Sequence, residues 1–124
     1  MTMDQLKADK NGLETYDYIV NNLDSCAGNM EFLTENLLKA DTTGQYLTST
    51  AIFLNKVGKE RFGKWIDRLI EGAIAKDRER RYIGSLLEAI WGVDFKDRSS
   101  ELNQIDDNFR RIYKRIYPEN AEKI

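Results

Sequence analysis

Three stretches place residues in patterns that can carry chemistry. In GKERFGKW, residues 58–65, Gly58, Gly63 and Lys64 fall in the register of a phosphate-binding loop. That chemistry needs a Ser or Thr next, to hold Mg²⁺, and Trp65 stands there instead. It also needs a preceding strand, whereas the residues before Gly58 have helical spacing. In LKADKNG, residues 6–12, aligning Gly12 with the sixth position of a calcium loop puts Lys7 and Tyr18 where acidic ligands are required. Asp94, Asp97 and Glu101 gather three carboxylates near a connector, but such residues serve as readily at a helix N-terminus, where their charge suits the dipole. The chain has no histidine and a single cysteine, Cys26. Zinc fingers, histidine-based triads and two-histidine iron sites are therefore excluded within one chain. No cofactor or metal is expected, and acid–base chemistry would have to use Asp, Glu, Lys, Tyr or Cys26.

Two basic segments remain as candidate contact surfaces. KDRERR, residues 76–81, offers Arg78, Arg80 and Arg81 to an anion, or else forms a solvated turn with weak internal ion pairs. RRIYKRIYPEN, residues 110–120, interleaves Arg110, Arg111, Lys114 and Arg115 with Tyr113 and Tyr117. Basic residues beside aromatics can hold phosphates and stack bases. Cations also belong at a helix C-terminus, and their stems can cover apolar surface.

These residues need elements to position them, and the apolar spacing is helical throughout. Leu13, Tyr16, Ile19, Val20 and Leu23 form one stripe, with Gly28 as its stop. Met30, Leu33, Leu37 and Leu38 form a second, after Asn29 as a cap. The turn DTTG at 41–44 leads to a third helix, over 45–57, ended by Gly58. Apolar residues at 62, 65, 66, 69, 70, 73 and 74, and again at 82, 83, 86, 87, 90 and 91, predict a central pair joined by a turn near 76–81, or one bent helix. Gly92 closes that pair. A connector follows, with Val93 and Phe95 tucked inward. A last helix is capped by Ser99 or Ser100, with Leu102, Ile105, Phe109, Ile112 and Ile116 on its buried face and Pro118 as its end. No repeat at the period of a helical solenoid is evident.

The chain's 124 residues predict one domain over 1–124, with residues 1–11 a loose N-terminal segment. The expected fold is all-α: an irregular or orthogonal bundle of five or six helices. No run approaches the ~20 apolar residues of a membrane span, and the N-terminus lacks a signal-peptide pattern. A cytoplasmic protein is expected. Residues 1–60 carry five Lys/Arg against nine Asp/Glu, and residues 61–124 fourteen against twelve, an asymmetry compatible with self-association. The leading functional expectation is a non-catalytic protein-interaction or adaptor module, a homo-oligomer where the partner is a second copy. The alternative is a nucleic-acid-binding regulator using 78–81 and 110–115, which a pI near 5.3 disfavours. The third is an enzyme working without histidine or metal.

Overall fold

The structure is a computed structural model that describes residues 3–121, except for the side chains of residues 120 and 121. It is all-α. The longer helices are α2 (Leu13–Asn21), α4 (Met30–Ala40), α5 (Gln45–Lys76), α6 (Gly84–Trp91), α7 (Ser99–Ile105) and α8 (Asp107–Ile116). Single turns α1 (Met3–Leu6), α3 (Leu23–Cys26) and α9 (Pro118–Ala121) join them.

The third expected helix and the first of the central pair are one element, α5, which packs against α2, α4, α6 and α8. Gly58 bends it rather than ending it: its backbone leaves helical geometry at φ −173°, ψ 59°. A methyl group on Gly58 would come 3.0 Å from the Phe62 ring, so the bend lets that ring pack against bare backbone. The two stripes of α5 thereby both face inward: Leu47, Ala51 and Leu54 before the bend, and Phe62, Ile66, Leu69, Ile70, Ala73 and Ile74 after it. The break expected near 76–81 is present between α5 and α6.

Three apolar positions differ from expectation, the first being Leu13, which is 41% exposed at the start of α2. Ile105 is 71% exposed because the final stripe is split into α7 and α8 at Asp106, whose backbone is extended (φ −130°, ψ 108°). The Asp106 carboxylate accepts from the Phe109 N–H at 3.1 Å and from the Trp91 indole N–H at 2.8 Å, starting a new helix where the spacing alone suggests continuation. Val93 is 81% exposed, while Phe95 is buried as expected.

The N-terminal segment is tied in rather than loose from residue 3 onward. Leu6 is fully buried, and its carbonyl accepts from the Asn36 amide at 2.8 Å. Asp9 is 8% exposed. One carboxylate oxygen accepts from the N–H groups of Asn11 and Gly12, and the other from the N–H and hydroxyl of Thr15. The same device recurs. Asp41 accepts from the N–H groups of Thr43, Gly44, Tyr46 and Leu47, all at 2.9–3.0 Å, and from the Thr43 hydroxyl. Asp77 accepts from the N–H groups of Arg81, Tyr82 and Ile83 at 2.7–2.9 Å. Each aspartate follows a helical segment, folds the chain through a tight turn and caps the helix beyond.

These turns expose a repeat that the sequence analysis misses. LKAD occupies 6–9 and again 38–41, each followed three residues later by a glycine, Gly12 or Gly44. The third copy, at Asp77, has lost the motif but keeps its shape. Gly12 and Gly44 have φ of 99° and 90°, and Arg80, at the same offset from its aspartate, has φ 60°. The turns also stack. A methyl group on Gly12 would lie 3.3 Å from Cβ of Asp41, and one on Gly44 would lie 3.1 Å from Cβ of Asp77. Glycine is needed at the first two turns for both its backbone freedom and this close approach.

Arg80 tests this equivalence. An L-residue with a Cβ is costly in the left-handed region. At an ordinary helical or extended site alanine is as stable as glycine or more so. At position 80 the order should invert, with Arg80→Gly more stable than Arg80→Ala by about 1 kcal/mol, because both lose the guanidinium and only the backbone preference separates them. Urea denaturation of the two variants measures the difference. Equal stability would mean that the third turn does not share the geometry of the first two.

Candidate functional site

Two basic segments distant in sequence converge where the third turn meets the C-terminal end of α8, with Arg80 and Arg115 35 positions apart. The Arg80 guanidinium donates to the Arg115 carbonyl at 3.2 Å, and the Arg115 guanidinium donates to the Ile74 carbonyl at 2.6 Å. Ile74 lies in the last turn of α5, where carbonyls lack intrahelical donors. The Arg78 N–H that could have served it bonds Lys76 O instead. Two arginines thus cap each other's helix ends, placing positive charge at the negative end of each dipole. A third cap lies alongside: the Lys76 ammonium donates to the carbonyls of Leu38 and Asp41 at the end of α4. Burial holds the Lys76 pKa below the usual lysine range, against the opposing pull of the Asp41 charge.

The other proposed contact residues divide in the same way. Arg81 pairs with Glu79 at 2.9 Å, and Arg110 pairs with Asp107. Tyr113 is 5% exposed, with its ring stacked on Phe109 at 5.3 Å and against Tyr117 at 5.1 Å, so it belongs to the core rather than to a surface. Tyr117 is half-buried, with the Lys96 ammonium 5.0 Å from its ring centre. Arg78, Arg111 and Lys114 are exposed. The segments do meet in space, but much of their charge is spent on helix ends and local pairs.

The motifs with catalytic or metal-binding precedent resolve into structure. GKERFGKW lies inside α5, spanning its bend, and among the described residues no strand precedes it. Both oxygens of Asp9 face backbone and hydroxyl donors, which is how a turn anchor is used. Asp94 pairs with Arg98 at 3.3 Å. Cys26 is buried, and that burial pushes its thiol pKa up. One cleft of about 330 Å³ does bring two carboxylates together, Asp67 from α5 and Asp106, beside Trp91 and Lys59. Partial desolvation, then the charges of Asp106 and Glu71, hold the Asp67 carboxyl above its ordinary range. Asp106, however, is committed through both oxygens to Phe109 and Trp91, so the pair offers one uncommitted carboxylate rather than the two that acid–base work would use.

A concavity of about 700 Å³ is a groove whose apolar lining includes Ile52, Ala89, Val93, Phe95 and Tyr117. Glu88 and Lys96 add one charge of each sign. The periodicity gave no warning of it, because Val93 and Phe95 lie in a connector where helical spacing says nothing about exposure.

These features define the molecule as an all-α bundle built on stacked, aspartate-anchored turns. Comparison with protein-family models, curated proteins and solved structures finds no match for the chain.

Proposed function

We propose that the protein is a non-catalytic interaction module that binds another protein, acting in the cytoplasm. The observation that carries this reading is Val93, 81% exposed at the rim of this groove. Apolar groups gathered along one groove, with Ile52, Ala89 and Tyr117 beside Val93, mark association sites in a way that single exposed residues do not. The groove's mixed but sparse charge suits a partner that inserts apolar side chains and meets a polar rim. The nucleic-acid alternative draws less support, since Arg80, Arg110, Arg115 and Tyr113 have structural partners.

A photo-crosslinking residue at position 93, compared with one at exposed position 56, tests the proposal in the native cell. A discrete protein adduct at 93, absent at 56 and lost when Ile52→Asp is added, is the expected result. Sedimentation of the purified chain tells whether that partner is a second copy. Val93→Asp should change stability by no more than about 0.5 kcal/mol, as for other exposed sites, so any loss of association would reflect the surface itself. Salt-sensitive micromolar nucleic-acid binding by the wild type, removed by Arg111→Glu with Lys114→Glu, would overturn the reading.

A further inference from the structure

We propose that the notch between the second and third stacked turns binds a phosphate-type oxyanion, either the inorganic ion or a phosphate monoester on a small molecule. The notch has a volume of about 320 Å³ and shares no lining residue with the groove at Val93. Lys76, Arg78 and Arg81 line it, with the hydroxyl-bearing Thr42, Thr43 and Tyr82. Two carboxylates, Asp77 and Glu79, also line it. Asp77 is 2% exposed and turned onto three backbone N–H groups. Glu79 is exposed and paired with Arg81 at 2.9 Å, so Arg81 reaches a ligand by exchanging this surface pair for it.

The donors suit a tetrahedral oxyanion. Lys76 is held by the two carbonyls it caps, so its charge is positioned before a ligand arrives. Arg78 is exposed and supplies a planar fork that can bond two oxygens at once. Thr42 is exposed, and its hydroxyl can donate to a further oxygen. The concavity nearest the first turn makes a useful contrast. It is lined by Lys7 and Lys39 with Phe32, Glu35 and Asn36. It contains no arginine, so the fork is particular to the notch beside the third turn, where RERR replaces the glycine-containing sequence.

The test is a ¹H–¹⁵N nuclear magnetic resonance titration of the full chain at constant ionic strength, with inorganic phosphate in one arm and glycerol 3-phosphate in the other. The expected result is saturable shifts at the amides of Thr42, Thr43 and residues 78–82. Binding should weaken about tenfold or more in Arg78→Gln with Arg81→Gln, in line with loss of charge-assisted hydrogen bonds. Arg111→Gln with Lys114→Gln, the same charge change elsewhere, should leave it unaltered. Tighter binding of the ester supports a phosphorylated small molecule as ligand, and equal or tighter binding of the free ion supports inorganic phosphate. Shifts that do not saturate, or an equal loss in the control pair, would overturn the proposal.

Discussion

Asp41→Ala is expected to lower the free energy of unfolding by about 3–5 kcal/mol, the range found when one partner of a buried charged network is removed. Asp41 is 1% exposed and satisfies four backbone N–H groups, so alanine would strand several donors at once at the N-terminus of α5. The loss reaches beyond one turn, because Gly12 packs against Asp41 and Lys76 caps its carbonyl. Asp41→Asn keeps the shape and one acceptor oxygen and should cost roughly half as much. Urea melts at neutral pH separate the variants. A cost below about 1 kcal/mol for the alanine variant would show that water replaces the carboxylate freely and that the turn is not a structural anchor.

Phe109→Ala is expected to cost about 3–5 kcal/mol, as for other buried phenylalanines cut to alanine. Its ring is fully buried and joins three parts of the chain. Trp91, ending α6, meets it edge-on at 5.3 Å, Phe95 of the connector lies 6.4 Å away, and Tyr113 of α8 stacks on it. Edge-on and offset geometries add to the burial itself. Phe109→Leu keeps most of the apolar volume and should cost distinctly less. Near-ultraviolet circular dichroism would report the change, since Trp91 loses its asymmetric neighbour. Unchanged stability in Phe109→Ala would mean that α6 and α8 are held together elsewhere, and the arginine caps at the end of α8 would then be the first place to look.

The helices were legible because burial demands a period near 3.6. Leu33 and Leu37, Leu69 and Ala73, and Phe109 and Ile112 all sit inward as that spacing implies. One error falls where a polar side chain overrides the apolar pattern. Ile105 keeps the heptad spacing, yet the Asp106 carboxylate ends the helix beside it. Gly58 reads as a stop, but the residues on both sides keep helical geometry and only the direction changes. The LKAD pair was visible in the letters. Its third copy was not, because there the turn survives as a backbone conformation at Arg80 while the residues have changed. The reciprocal caps lay beyond sequence reasoning altogether: Arg115 and Ile74 are 41 positions apart, and no local signal links a guanidinium to a distant carbonyl.

The stacked turns also bear on how such a chain can change length. The turns lean on one another in order, as in a staircase, so a whole step is the natural unit by which such a chain would be lengthened or shortened. The third turn closes the flight. Arg80 fills the place where an open glycine received the following aspartate, and its side chain reaches across to α8 instead. Growth by another unit would therefore begin with restoring a glycine at position 80 and freeing the end of α8.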